Sequence, residues 1–157
     1  MKGKCQWRAE IPVKASSSKL WTVVDDVSLL PKYHPEVGRV DLLSGRKNRE
    51  VGVKYRCNVF EGRKGNCVEE VVAYTPGVSF STSTPEDSWG IGQMMSDLVV
   101  DTIVTPTEDN TSILSFVAYY NPVGPINFLL NTFMLRRVMK KRALLVMHGT
   151  RRLAEEA

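Results

Sequence analysis

Polar and apolar residues alternate cleanly at the start of the chain. Cys5, Trp7, Ala9, Ile11 and Val13 fall on one face, and Lys4, Gln6, Arg8 and Glu10 on the other, which predicts a half-buried strand. Ser16, Ser17 and Ser18 then offer helix-capping hydroxyls ahead of Leu20, Val23, Val24 and Val27 at helical spacing. Pro31 and Pro35 leave room for only a short second helix. From Val37 to Tyr120 the pattern is almost all strand, punctuated by glycine and proline.

Two hairpins matter for what faces inward. Val51, Val53, Tyr55, Cys57 and Val59 share a face. A four-residue loop at 62–65 would pair Tyr55 with Val72 and place Glu70 on that face, beside Val68, Val72 and Tyr74. A loop one residue shorter or longer would flip the placement. Farther on, Leu98, Val100 and Val104 form the apolar face of a strand, with Asp97 and Asp101 outside. A four-residue loop at 107–110 would add Ile113, Val117 and Tyr119 to the inner face.

The last segment opens on Pro122-Val123-Gly124-Pro125 and reads as a helix to about His148, where Gly149 weakens or caps it. Roughly 24 residues give a length of about 36 Å. Its stripe is Phe128, Thr132, Leu135, Met139, Ala143 and Val146. A second apolar face (Ile126, Leu130, Phe133, Met134) precedes Arg137, Lys140, Lys141, Arg151 and Arg152. An apolar patch followed by a basic one suits docking on an anionic membrane, each nearby basic residue adding about 1 kcal/mol. Burial of the first turns under loops or in a homodimer is the plainer account of the same pattern.

The order of elements predicts one α+β domain over 1–157: a curved antiparallel sheet around a long C-terminal helix, with two short helices after the first strand. Hydrophobic residues at 43% and charged residues at 24% fit a globular core. A net charge of +4 without a basic-aromatic motif argues against a nucleic-acid partner. No apolar run follows Met1, so no secretory signal is expected, and Val123–Leu135 is too short to span a bilayer. The expected location is cytoplasmic, with peripheral membrane contact through the last helix. Without secretion the glycosylation match at Asn110-Thr111-Ser112 is idle. Cys5, Cys57 and Cys67 show no C-x-x-C spacing and read as buried, reduced thiols, so neither a disulfide framework nor a metal site is expected, and no cofactor.

The stretches SSSKLWTVVDDVSLLPKYHPEV and GVKYRCNVFEGRKGNCVEEVVAYTPGVSFS, with the closing helix, resemble the helix-grip fold of the START-related superfamily, which includes birch-pollen-allergen-like proteins. Within it the chain is most similar to the polyketide cyclase/dehydrase and lipid-transport group. That group's Asp-x-x-x-x-Pro-x-(aromatic)-x-Pro pattern is met by Asp26, Pro31, Tyr33 and Pro35. Its Glu-x-Val, aromatic and Pro are met by Glu70, Val72, Tyr74 and Pro76. A related branch, the ubiquinone-binding proteins, shares the opening. The resemblance implies a cavity between sheet and helix holding an apolar ligand such as a lipid, quinone, sterol or polyketide.

Three functions follow as expectations. The first is a ligand carrier. The second is a cyclase or dehydratase using Glu70 as acid or base, its pKa raised if it faces an apolar space. The third is an interaction protein whose cavity is filled by its own side chains. Ligand contacts are expected from Tyr55, Val72, Tyr74, Phe80 and Leu98 in the sheet, joined by Val117 and Tyr119. Phe128, Thr132 and Leu135 would supply the helix side. Membrane contact is expected at Ile126, Leu130, Phe133, Arg137, Lys140 and Lys141. His34, between Tyr33 and Pro35, reads as part of the turn and at most a residue of the cavity mouth. Trp89, flanked by glycine, is either a gate or a locally packed ring.

Overall fold

A computed structural model describes residues 1–59 and 64–157. Among these residues seven antiparallel strands form one sheet: β1 (Lys4–Val13), β2 (Val37–Leu42), β3 (Lys54–Val59), β4 (Gly65–Thr75), β5 (Ser79–Asp87), β6 (Met95–Pro106) and β7 (Ser112–Pro122). Their order is β1-β7-β6-β5-β4-β3-β2, so the first two strands stand at opposite edges. Two short helices, α1 (Ser17–Asp25) and α2 (Leu30–Tyr33), cross the gap between them. A third, α3 (Ile91–Met94), interrupts β5 and β6. The chain closes with α4 (Gly124–Leu130), a π-helical turn at Asn131–Leu135 and α5 (Arg136–Glu156), which packs on β1, α1 and α2.

Ser16 caps α1, its hydroxyl accepting from Lys19 N–H at 3.2 Å. That helix buries Leu20, Val23 and Val24, as the spacing predicts. Register shifts in β1, β2, β4 and β6 bend the sheet around α5, because each extra residue kinks its strand and increases the twist. The shift between Cys5 and Trp7 also takes Cys5 out of the expected face: Trp7, Ala9, Ile11 and Val13 are buried, whereas the Cys5 thiol is exposed.

Both hairpin expectations are off by one residue. Ladder pairing ends at Val59↔Gly65, which leaves five residues between β3 and β4. Half of the loop expected at 62–65, residues 62 and 63, lies outside the described residues, but the ladder fixes parity: Tyr55 pairs with Glu69 and Cys57 with Cys67, while Glu70 pairs with Lys54. Pro106↔Ser112 likewise leaves five residues between β6 and β7, so Leu114, Phe116, Ala118 and Tyr120 face inward in place of Ile113, Val117 and Tyr119.

The final helix also runs on past His148 to Glu156. Gly149 is not its end. A Cβ at Gly149 would stand 2.1 Å from the Tyr33 carbonyl oxygen, so glycine is what lets α5 lie against α2. Gly149→Ala should therefore destabilise the protein by about 2 kcal/mol despite alanine's better helix propensity, read from the denaturant midpoint. A stabilised variant would mean that the two backbones part easily.

Candidate functional site

Curvature leaves space between the concave face and α5. A cavity of about 410 Å³ is bounded by Trp7, Tyr55, Glu69, Phe80, Thr82, Thr84, Val100, Thr102 and Phe116 from the sheet. Val24, Leu30, Tyr33 and Arg49 close one end, and Ala143, Val146 and Thr150 of α5 form the roof. At the mouth are His34, Pro35, Glu36, Arg142 and Leu145. Several of these also line a more open outer cleft of about 650 Å³ that continues along α2 and α5 to His148 and Arg152. Glu36 accepts from Arg142 Nε at 3.0 Å and Nη2 at 2.5 Å, an ion pair across the opening.

Arg49 is the unexpected member. Its side chain is 4% exposed, and its guanidinium donates to Val24 O and, at 3.2 Å, to the Tyr55 hydroxyl. Tyr55 in turn donates to Glu69 Oε2 at 2.6 Å. The guanidinium stands 4.4 Å over the Phe80 ring and 5.3 Å over that of Tyr55. Burial works against its charge, but the Tyr55, Tyr33 and Glu69 oxygens more than offset that and hold its pKa above the ordinary arginine value. Burial pushes the Tyr55 and Tyr33 phenols up, so both are neutral. The stretch 46–50 is wholly polar, so the sequence does not separate Arg49 from Arg46 or Lys47. What seats it is a pair of contacts to α1: Arg49 N–H donates to Asp25 O at 3.0 Å, and Asn48 Nδ2 to Asp25 Oδ2 at 2.9 Å.

Of the residues expected to touch ligand, Tyr55 and Phe80 line the cavity. Tyr74 faces inward but under α1, its hydroxyl donating to Asp25 Oδ1 at 2.9 Å and its ring 5.7 Å from Trp21. Val72 is exposed, and Val117 and Tyr119 lie on the outer face, where Lys2 covers the Tyr119 ring. Leu98 sits in the β6 irregularity, half-buried against the core and outside the cavity wall. Glu70 is corrected with its register: it stands on the outer face, its carboxylate 3.5 Å from Lys54 Nζ. The carboxylate that parity puts inside is Glu69.

On the helix, Leu135 packs against the core but Phe128 is 60% exposed and Thr132 returns its hydroxyl to Phe128 O. The π turn causes this offset. It is held by Asn131, which accepts from the Tyr120 hydroxyl at 2.5 Å and donates to Gln6 Oε1 at 3.0 Å. One extra residue in that turn rotates everything before it away from the stripe. Ile126 and Phe133 are strongly exposed and Leu130 partly so; Arg137, Lys140 and Lys141 are not buried either.

Cys57 and Cys67 stand opposite each other in the β3–β4 ladder, with Glu69 close enough that all three donor atoms lie within 4.8 Å. Linear spacing does not show this grouping. Cys67 and burial hold the Cys57 thiol strongly in its protonated form. Trp89 packs on Gly65 and is not part of the cavity wall.

The profile of the family described as polyketide cyclase/dehydrase and lipid transport matches residues 4–156. The chain belongs to that family. Comparison with curated proteins finds no significant match. Among solved structures of similar fold is norcoclaurine synthase from Thalictrum flavum in complex with dopamine and hydroxybenzaldehyde (TM-score 0.75, 14% identity, covering 96% of this chain and 86% of that one). Another is the ZhuI aromatase/cyclase from Streptomyces sp. R1128 (TM-score 0.74, 13% identity, 95% and 92% covered). A protein of Thermus thermophilus is also similar (TM-score 0.70, 18% identity, 94% of each chain covered). At these identities the likeness is one of fold, the helix-grip fold.

His34 supplies a pH test of the mouth. Its backbone closes α2, N–H to Leu30 O at 2.8 Å, and its Nδ1 accepts from Glu36 N–H at 3.2 Å. Burial, the largest influence, lowers its pKa below the ordinary 6.5; Glu69 and Glu36 oppose this and Arg142 assists. The unfolded chain then binds this proton more readily than the folded one. The stability His34 contributes is present above 6.5 and lost as pH falls from there toward its folded-state value. Unfolding midpoints between about pH 7 and pH 5 should fall more steeply for the native protein than for His34→Gln. Parallel curves would show an imidazole that titrates normally.

Proposed function

We infer that the protein binds a hydrophobic small molecule in the cavity between sheet and α5, and carries or presents it. The observation that supports this is the open volume of about 410 Å³ under a helix roof, which the side chains of the described residues leave unfilled and which reaches the surface at His34 and Glu36. That space weighs against an interaction protein with a filled core. A cyclase based on Glu70 loses its premise, since that carboxylate is on the far side of the sheet.

Native and denaturing mass spectra of the purified protein should differ by a discrete small-molecule mass. Ala143→Trp, which places a large ring in the roof, should weaken uptake at least tenfold while the circular dichroism spectrum stays native. Glu70→Gln should bind like the native protein. Uptake that ignores Ala143→Trp would place the ligand elsewhere.

Exchange with a membrane is the route that the helix start supports. Val123, Ile126, Phe128, Leu129, Phe133 and Met134 are between 43% and 73% exposed, an apolar tip with no covering element among the described residues. Arg137, Lys140 and Lys141 follow it, and the basic run continues to Arg142 at the mouth. No helix among the described residues is long and apolar enough to cross a membrane, so contact through this tip is peripheral. Lys140→Glu combined with Lys141→Glu should weaken sedimentation with phosphatidylserine vesicles about tenfold or more at low salt. Unchanged sedimentation, or a doubled native mass lost in Phe133→Asp, would assign the tip to a second copy of the chain instead.

A further inference from the structure

A guanidinium carries five N–H donors. Arg49 uses two of its groups on Val24 O and the Tyr55 hydroxyl, and its buried Nε has no hydrogen-bond partner among the described residues. Each of its two terminal nitrogens keeps a second N–H, and on a side chain that lines the cavity these are donors for an acceptor that the described residues do not provide. The charge of that acceptor is constrained by Glu69. Its carboxylate is tied to the same arginine through Tyr55, so the pair already balances. A ligand carboxylate would bring a second anion to one cation, and the other arginine among the described residues lining the cavity, Arg142, is occupied by Glu36.

Resting on the ligand-binding reading above, we propose that the cavity selects neutral, carbonyl-bearing apolar molecules over fatty acids, with the carbonyl oxygen on the Arg49 guanidinium. The hydrocarbon body lies along Val24, Val100, Phe116 and Val146. Ligand hydroxyls or further oxygens have partners in Glu69 and in Thr82, Thr84 and Thr102, which line the same space.

The test uses 2-dodecanone, dodecanoate and the carbonyl-free dye diphenylhexatriene on the full chain. Displacement of the dye should show the ketone binding at least tenfold more tightly than dodecanoate at neutral pH. The Arg49 Nε–H signal in ¹H–¹⁵N spectra should move on saturation with the ketone. In Arg49→Gln the ketone-to-dye affinity ratio should fall about tenfold, the loss expected for one charge-assisted hydrogen bond. Tighter binding of dodecanoate, or an unmoved Nε–H signal at saturation, overturns the proposal while leaving a ligand cavity in place. The signal from the native protein decides the matter if Arg49→Gln does not fold. Failure of the dye and the ketone alike to bind the native protein would remove the cavity reading itself, and this inference with it.

Discussion

A cation is difficult to bury, and the closed end of this molecule is organised around one. Taking a guanidinium out of water costs several kcal/mol unless its donors and charge are met. Here the compensation is drawn from elements far apart in sequence: the Val24 carbonyl near the end of α1, Tyr55 on β3, Glu69 on β4 and the ring of Phe80 on β5. Each restrains the others. Glu69 must lie on the concave face for Tyr55 to bridge it to Arg49, and the segment before β3 must be tied to α1 for Arg49 to reach the cavity at all. Apolar side chains cannot collapse onto this cluster without stranding its polar groups, which is a physical reason for the space beside it to stay open.

The same cluster explains where the sequence is legible and where it is not. Hydrophobic periodicity reports elements that bury one clean face. It therefore places β1, α1 with Leu20, Val23 and Val24, and the long last helix, and with them the helix-grip layout. It fails on parity in the hairpins because neither face of those strands is purely apolar. Val68 and Val117 are buried on the outer side, while Glu69, Thr82 and Thr102 are polar on the inner one. With a side-chain period of two, a single residue of loop length exchanges Glu69 for Glu70 and Phe116 for Val117, and nothing in the local pattern opposes the exchange. Sites are where binary patterning is expected to break. The polar residues that make this cavity a site are the ones a search for apolar faces turns outward, and Arg49, in a polar run, gives no signal.

The last helix shows a complementary limit. Its inward positions, Asn131, Leu135, Met139, Ala143, Met147, Thr150 and Ala154, recur mostly at steps of four. Each such step overshoots a full α-helical turn by about 40°, so a straight α-helix would carry the stripe off the sheet. Two local devices hold it in place. Gly149 seats the C-terminal half against the Tyr33 carbonyl, and the wide turn at Asn131–Leu135, fastened to Tyr120 and Gln6, resets the phase at the other end. Beyond that turn the sheet gives α4 few contacts, and its apolar residues remain on the surface. Their exposure is thus a consequence of how the helix is anchored at Asn131. A helix pinned there must leave its first two turns bare, and the sequence fills those turns with isoleucine, phenylalanine and leucine, where a solvated end calls for polar residues.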